Sequence, residues 1–360
     1  MGRALELAAR GLYTTDPNPR VGCVLVGGGR VVGEGWHRRA GEAHAEVHAL
    51  AAAGAAARGA TAYVTLEPCS HTGRTPPCTE ALIAAGVSRV VCAATDPNTR
   101  VDGNGVARLR AAGIAVDVGP LEREARALNA GFFSRFERGR PYVRLKLALS
   151  LDARTARADG RRAWITGEAA RADVQTWRAR SGAVLTGAGT VRVDDPRLDV
   201  RLDYAAPVRQ PLRVVLDPRL SCAPQSRIFA GEGALVFATA GAANRAAGWP
   251  AQVRVETLGG DQTGLDLGAA LERLAALEVN ELLVECGAKL AGSFLRAGLV
   301  DELVVYVAPL LLGADAPPLA ELRSLAEAMR FEWVDVRRMG EDLRMVLRPK
   351  NEDRRCSPES

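Results

Sequence analysis

The chain has 360 residues, of which 48% are hydrophobic and 25% are charged, which suits two globular domains that each bury a core. Its 47 basic and 42 acidic residues give a net charge of +5 without long runs of one sign, which favours anionic small molecules at least as well as nucleic acid. No apolar run approaches eighteen residues, so the composition excludes a transmembrane helix and predicts a cytoplasmic protein.

The first predicted elements are a short helix and a β-hairpin. Residues 3–10 have a helical pattern that ends at TTDPNPRVG, where two prolines flank Asn18. This loop is interpreted either as part of a pocket or as a rigid turn before a strand. The runs CVLV and RVVGEGWH are rich in β-formers and are joined by glycines 27–29, which predicts a hairpin whose second strand ends at His37.

Residues 44–78 carry an H-x-E pair followed by two cysteines nine positions apart. His44, Cys69 and Cys78 supply one imidazole and two thiolates, and three protein ligands leave the fourth corner of a tetrahedral zinc open to water, as in catalytic sites. Glu46 lies two residues after His44, in a helix expected to begin at about Glu42. We therefore expect Glu46 to share the pocket and to move protons without binding the metal.

The two cysteines are expected at a strand end and at a helix start. Residues 61–66 indicate a buried strand that leads to Cys69, and the prolines at 76–77 suit the first turn of the helix that follows. The helix dipole and a metal would both favour a thiolate at Cys78. A Cys69–Cys78 disulfide is the alternative, although a cytosolic Cys/His cluster is more often metal-binding or catalytic. His48 has zincin spacing from His44, but the glutamate is misplaced for H-E-x-x-H, so His48 is interpreted as a packed histidine.

This set of one histidine, two cysteines and an unligated glutamate resembles the zinc-dependent nucleobase deaminases. The long insert in EPCSHTGRTPPC, with PNPRVG and DPNTRVDGNG, resembles the riboflavin-biosynthesis pyrimidine deaminases. The resemblance implies a cytidine-deaminase-like three-layer α/β/α domain whose substrate contacts are Asn18, His37, His71 and Arg74. From the residues alone, a surface position is the alternative for His37. Arg74 is then either a bidentate phosphate ligand or a solvated loop residue.

The middle of the chain alternates strands and helices over residues 89–118, which is typical of an α/β sandwich. Residues 121–138 predict one basic amphipathic helix, and the break at 139–141 suggests a domain boundary. We expect a deaminase domain at 1–142, a second domain at 143–350 and a disordered polar tail at 351–360.

The second half opens with YVRLKLALSLDARTA, which resembles the first strand of dihydrofolate-reductase-like α/β domains. In ELLVECGAKLAGS, a buried strand ends at Glu285, and a glycine leads into an amphipathic helix whose N-terminus allows backbone contact with a phosphate. An ordinary strand, turn and helix is the alternative interpretation. Over almost the whole chain the sequence resembles the bifunctional riboflavin-biosynthesis deaminase/reductases, which implies NADPH as the second cofactor.

The same resemblance implies site residues in the second domain. The expected cofactor contacts are Ala148, Trp164, Thr190, Asp194, Gly287, Ala288, Lys289, Leu290, Ala291, Gly292 and Ser293. The expected substrate contacts are Arg162, Arg178, Leu198, Arg201 and Glu285. The residues that depart from the usual family pattern are Thr99, Ala153, Arg162 and Pro218.

The expected function is zinc-dependent hydrolytic deamination of 2,5-diamino-6-(5-phosphoribosylamino)pyrimidin-4-one, followed by NADPH reduction of the ribosyl chain to ribityl. The expected partner is this small-molecule nucleotide rather than nucleic acid or a membrane, and a homo-oligomer is compatible with the sequence. Two other classes stay open. A polynucleotide deaminase would need a basic single-strand groove, and a non-catalytic zinc module would need a fourth protein ligand.

Overall fold

Two compact units divide the chain, Met1–Pro141 and Tyr142–Ser360. The structure is a computed structural model that describes residues 1–70, 76–98, 101–159, 161, 164–202, 208–261, 264–322 and 328–350. His71, Arg74, Thr99, Arg162 and the tail at 351–360 lie outside the described residues. Across the described ranges, no helix combines the length and the apolar character that a membrane span requires.

The first unit is a three-layer α/β/α structure around a five-stranded sheet in the order β2-β1-β3-β4-β5. The strands are β1 (Gly22–Gly27), β2 (Arg30–Trp36), β3 (Thr61–Val64), β4 (Arg89–Cys92) and β5 (Ala115–Val118). The helices are α1 (Gly2–Ala9), α2 (Ala45–Ala53), α3 (Cys78–Ala85), α4 (Asn104–Ala111), α5 (Glu122–Leu128) and α6 (Ala130–Arg138). β1 pairs antiparallel with β2 and β3, whereas β3, β4 and β5 are parallel. The predicted hairpin is confirmed.

Two element predictions in this unit are wrong. Helix α2 begins at Ala45 rather than near Glu42, because His44 has an extended backbone with φ −77° and ψ 168°. Residues 121–138 form two helices, since Asn129 leaves the helical conformation with ψ 26°. The Asn129 side chain instead accepts from the Arg20 N–H at 2.8 Å and donates to the Arg20 carbonyl at 2.9 Å.

The second unit contains a nine-stranded sheet in the order β10-β9-β8-β7-β13-β6-β14-β16-β15. Its strands are β6 (Tyr142–Ser150), β7 (Ala183–Gly187), β8 (Leu212–Leu216), β9 (Ala234–Thr239), β10 (Val253–Leu258), β13 (Glu281–Glu285), β14 (Glu302–Ala308), β15 (Phe331–Met339) and β16 (Asp342–Pro349), and a small separate pair comprises β11 (Gly260–Asp261) and β12 (Gly264–Leu265). Only the β14–β16 and β16–β15 pairings of the large sheet are antiparallel among the described residues.

Helices cover both faces of the large sheet. The helices are α7 (Glu168–Arg180), α8 (Ala188–Asp194), α9 (Leu267–Ala276) and α10 (Ala288–Arg296). α9 and α10 contribute apolar residues to the core on one face, and α7 and α8 contribute to the core on the other. Because β7, β13 and β6 are adjacent and parallel, their carboxyl ends lie along one edge, where α/β sheets commonly bind ligands.

Candidate active sites

The three predicted metal ligands converge in the first unit. Nδ1 of His44 lies 3.2 Å from Sγ of Cys78 and 3.6 Å from Sγ of Cys69, and the three ligand atoms all lie within 4.8 Å of one another. Both cysteines are free, so the disulfide alternative is absent. His48 does not belong to this cluster. One imidazole and two thiols at this separation suit a tetrahedral zinc with one position left for water.

The positions of His44 and Glu46 depend on the close packing of α2 against β2. A Cβ atom on Gly33 would lie 2.3 Å from the Ala49 carbonyl oxygen, and one on Gly35 would lie 2.4 Å from that of Ala45. Only glycine allows this approach of helix and strand. As a result, the first turn of α2 carries Glu46 into the interior, two residues after the predicted ligand His44.

The cysteines come from a loop and from a helix start that are bound to each other. Cys78 is the first residue of α3, and its N–H donates to Sγ of Cys69 at 3.4 Å. The Thr79 N–H and hydroxyl donate to the Cys69 carbonyl at 3.2 and 3.3 Å. A hydrogen bond from the Cys78 thiol lowers the pKa of Cys69 to about 4 and raises that of Cys78. In this pair the Cys78 thiol therefore keeps its proton and Cys69 is the thiolate, whereas a metal that replaces that proton would be assisted at Cys78 by the helix N-terminus, which favours a thiolate.

Glu46 is a buried carboxyl group beside the cluster. It is 3% exposed, and its Oε2 atom has no hydrogen-bond partner among the described residues. Burial raises the pKa of Glu46 to about 7. A buried acidic oxygen without a protein partner, next to three ligand atoms, is suited to exchange a proton with a bound molecule.

Asn18 and His37 are brought together as one hydrogen-bonded pair. His37 is 2% exposed, and burial lowers its pKa, so the ring is neutral. Its Nδ1 lies 3.1 Å from the Ala43 carbonyl, which only accepts, so Nδ1 carries the proton and Nε2 accepts from Nδ2 of Asn18 at 3.1 Å. The His37 ring stands edge-on to the His44 ring with centroids 5.2 Å apart, so the pair borders the ligand cluster.

Glu67 is a buried residue next to the ligand loop that the sequence interpretation missed. Its carboxylate accepts from the N–H groups of Asp96, Gly103 and Val106 at 3.1, 3.1 and 3.0 Å. Gly103 is the N-cap of α4 and has no side chain to cap the helix, so Glu67 supplies from a distant segment both hydrogen bonds of a capping box. The signal that the sequence offered was an acidic residue at the end of a buried run, two residues before the predicted metal ligand Cys69.

In the second unit, a largely buried ion-pair cluster joins Glu285 at the carboxyl end of β13, Lys146 in the middle of β6 and Arg178 of α7. Glu285 accepts from Nε and Nη2 of Arg178 at 2.6 and 3.0 Å, and Nζ of Lys146 lies 3.7 Å from the Glu285 carboxylate. Burial opposes ionisation of Glu285, but Arg178 and Lys146 outweigh it and hold the pKa at about 2. Burial lowers the pKa of Lys146. Lys146 was not predicted, although it lies directly opposite Glu285 in the sheet register.

The loop after α8 is tied to this cluster. Nη1 of Arg178 donates to the Asp199 carbonyl at 3.2 Å, and Arg201 pairs with the Asp199 carboxylate at 2.6 Å. Leu198, at φ 54°, is buried, whereas the Arg201 side chain is half exposed. Arg178 thus contacts Glu285 directly, and it is linked to Arg201 through Asp199. These contacts connect three of the predicted substrate residues.

Two strand-to-helix turns lie side by side where the sequence predicts the cofactor. Gly187 ends β7 and precedes α8, and Gly287 precedes α10 after β13. A Cβ on Gly187 would lie 3.3 Å from Cδ2 of Leu290, so the turn at Gly187 lies against the first turn of α10. Two adjacent helix N-termini with glycine at the entry suit the phosphate groups of a dinucleotide.

The other predicted cofactor residues differ in their exposure to solvent. Ala148, Thr190 and Asp194 are partly buried, whereas Trp164 is 67% exposed, with the Arg171 guanidinium 5.0 Å from its ring centroid. The Ser293 hydroxyl donates to the Lys289 carbonyl at 3.1 Å. Packing alone requires glycine at position 292, because a Cβ there would lie 2.4 Å from the Glu321 carbonyl oxygen.

Comparisons with known proteins cover both units. Residues 141–345 match the family model of the RibD C-terminal domain, and residues 1–94 match the cytidine and deoxycytidylate deaminase zinc-binding region. The chain is 50% identical to riboflavin biosynthesis protein RibD of Escherichia coli K12, with 96% of this chain and 98% of that protein covered.

Solved structures of similar proteins match this chain over almost its full length. The Acinetobacter baumannii RibD structure has a TM-score of 0.88 and 45% identity, covering 97% of this chain and 98% of that one. A Thermotoga maritima structure, described as a diaminohydroxyphosphoribosylaminopyrimidine deaminase/5-amino-6-(5-phosphoribosylamino)uracil reductase, has a TM-score of 0.84 and 34% identity, covering 97% of each chain.

Proposed function

This chain belongs to the RibD family of riboflavin-biosynthesis proteins, a family of bifunctional zinc deaminases and NADPH-dependent reductases, and we propose that each of its two units performs one of the two steps. We assign deamination to residues 1–142 and reduction to residues 143–350. The proposed first substrate is the diaminohydroxyphosphoribosylaminopyrimidine that the Thermotoga relative's description names, and its deaminated product is the substrate of the second step.

In the first unit, His44, Cys69 and Cys78 would hold zinc. The single observation that carries this assignment is the convergence of their ligand atoms within 4.8 Å beside a buried carboxyl oxygen without a partner. Zinc, when bound, supplies the Lewis acidity that makes water nucleophilic near neutral pH. The six described free cysteines support a reducing compartment, and we propose the cytoplasm.

Glu46 would move the protons of this step. Deamination needs a group that accepts a proton as water adds to the ring carbon and then donates one to the departing amine. Glu46 suits both roles because it is buried beside the ligands and is not itself a ligand. Asn18 would orient the pyrimidine: its Nδ2 is occupied by His37, which directs its Oδ1 toward an amino group of the substrate.

In the second unit, the Glu285–Arg178 pair with Lys146 would hold the ribosylamino substrate at the sheet edge. Arg178 keeps Glu285 ionised, so the carboxylate is available to accept hydrogen bonds from sugar hydroxyls or ring N–H groups. NADPH would lie against the turns at Gly187 and Gly287 and supplies the hydride. The chain's own residues thus position the sugar carbon at the reacting end of the cofactor.

Metal analysis and ammonia release test the deaminase assignment together. Wild-type protein is expected to hold one zinc per chain; Glu46→Gln is expected to keep the zinc and to lose ammonia release by about a thousandfold, because only the proton carrier is removed. His44→Ala is expected to lose the zinc. Glu42→Gln, on the exposed segment before α2, is the matched control and should change neither quantity. A Glu46→Gln protein without zinc beside a zinc-loaded His44→Ala protein would refute these roles.

A further inference from the structure

The break between α5 and α6 places a buried asparagine against the segment that carries Asn18. Asn129 is 1% exposed and has φ −113° and ψ 26°, outside the helical conformation. It is the N-cap residue of α6, but its side chain makes no capping hydrogen bond, although asparagine is among the residues that commonly make one. The side chain instead binds the backbone of Arg20, 109 positions away. The break in the helix therefore serves a contact outside the helix.

Asn129 holds Arg20 through both of its backbone groups. The Arg20 N–H donates to Oδ1 of Asn129 at 2.8 Å, and Nδ2 of Asn129 donates to the Arg20 carbonyl at 2.9 Å. The buried Arg20 side chain adds two contacts: Nη1 donates to the Leu128 carbonyl at 3.0 Å, and Nη2 donates to the Leu12 carbonyl at 3.3 Å. Leu128 is the last residue of α5, so Arg20 also satisfies a carbonyl that the helix end leaves without a helical partner.

Only Pro19 separates this fixed point from Asn18. The proline ring restricts its own φ angle, so little freedom remains between Arg20 and Asn18. On the other side of Arg20, the Val21 carbonyl accepts from the His37 N–H at 2.9 Å. The same segment is therefore bound to the backbone of the residue that pairs with the Asn18 side chain. The protein's own backbone contacts thus hold Asn18 in its orientation.

Helix α6 also joins this segment to the strand end that precedes the ligand loop. Phe132 and Phe133 share a core cluster with Leu66, and Val21 packs against that cluster. Leu66 lies three residues before the predicted ligand Cys69. Because protein interiors are close-packed, this cluster limits shifts of the Asn18 segment relative to the predicted metal ligands.

We propose that Asn129 is a positioning residue of the deamination step, which fixes Arg20 and thereby holds Asn18 ready to orient the pyrimidine. Because Asn18 is taken to contact the pyrimidine, this role rests on the proposed function. An ordered segment loses little conformational freedom when substrate binds. Without Asn129, substrate binding would have to order the segment. KM should therefore rise, whereas kcat depends on Glu46 and the predicted metal cluster and should stay the same.

Steady-state ammonia release by the full-length, zinc-loaded chain tests this role. Asn129→Ala is expected to raise KM for the diaminohydroxyphosphoribosylaminopyrimidine about tenfold and to leave kcat within about twofold of the wild type. Ser134→Ala is the matched control, because Ser134 is 3% exposed on the same helix and its hydroxyl donates to the Arg140 carbonyl at 2.7 Å rather than to the Asn18 segment. This control should lower the melting temperature without changing KM.

A double variant tests whether Asn129 acts through Asn18. In an Asn18→Ala chain the orienting side chain is gone, so the addition of Asn129→Ala should raise KM no further. Effects on KM that multiply in the double variant would overturn the proposal. So would a KM of Asn129→Ala within about twofold of the wild type, or an equal rise of KM in Ser134→Ala.

Arg20→Lys provides a second test that remains if Asn129→Ala does not fold. Lysine leaves the backbone hydrogen bonds to Asn129 in place but replaces the two Nη donors with one ammonium group, so KM should rise about threefold. An unchanged KM in this variant would contradict the proposal. NADPH oxidation by the same samples should equal that of the wild type, which shows that the second unit is folded. A wild-type chain that binds zinc but releases no ammonia would instead refute the proposed function, and this role with it.

Discussion

Replacement of Glu67 by glutamine is predicted to weaken the first unit alone. The carboxylate is 4% exposed and accepts three backbone N–H groups, from Asp96, Gly103 and Val106. Glutamine keeps one acceptor oxygen, which can serve the two donors at Oε2, and turns an NH₂ group toward the Val106 N–H. One charge-assisted hydrogen bond is lost and two become neutral, which together costs about 3–5 kcal/mol of unfolding free energy.

Thermal inactivation of the two activities in one sample measures this effect. We expect the midpoint for loss of ammonia release to fall by about 10 °C, given the size of the unit. The midpoint for loss of NADPH oxidation should stay unchanged, because Glu67 belongs to the other unit. Glu80→Gln is the control, since Glu80 and its partner Arg108 are both about half exposed and such pairs contribute little. A Glu67→Gln midpoint equal to that of Glu80→Gln would refute the capping argument.

Two further predictions concern the second unit. Ala153 has φ 56°, a left-handed backbone conformation that disfavours a side chain. Ala153→Gly is therefore expected to stabilise the protein by about 0.5–1 kcal/mol, and a lower melting temperature would contradict this. The pKa of Glu285 is held at about 2, below its ordinary 4.5, so its ion pairs stabilise the fold fully above pH 4.5 and that contribution is lost as the pH falls toward 2. The carboxyl carbon shift of Glu285 in labelled protein should follow the low midpoint, and a midpoint near 4.5 would show that Arg178 does not pair with it.

Local patterns in the sequence were enough to predict the cluster of His44, Cys69 and Cys78 and the elements that carry it. The hairpin of β1 and β2 and the helix start at Cys78 follow from glycine, proline and β-branched residues within a few positions. The H-x-E spacing places the predicted ligand His44 and the proposed proton carrier Glu46 at one helix start, whether that helix begins at 42 or at 45. For this reason the error in the start of α2 did not change the predicted site.

Contacts between distant segments could not be predicted in this way. The division of residues 121–138 into two helices depends on the hydrogen bonds between Asn129 and Arg20, which are 109 positions apart. In β6, alternating polar residues usually indicate a solvated face, yet Arg144 is buried with Glu281 and Glu302, from strands 137 and 158 positions away. Lys146 on the same face was missed for the same reason. Its importance comes from its partner Glu285, which only the sheet register reveals.

The central claim is that two separate sites perform the two steps, and reduction by the Glu46→Gln variant tests it most directly. The variant is supplied with the already deaminated nucleotide and NADPH, and NADPH oxidation is followed by its absorbance. Because Glu46 lies in the first unit and the Glu285–Arg178 cluster lies in the second, the rate is predicted to equal that of the wild type while ammonia release from the first substrate is lost. A folded Glu46→Gln protein that fails to reduce the deaminated nucleotide would contradict the account, since one shared site would then serve both steps.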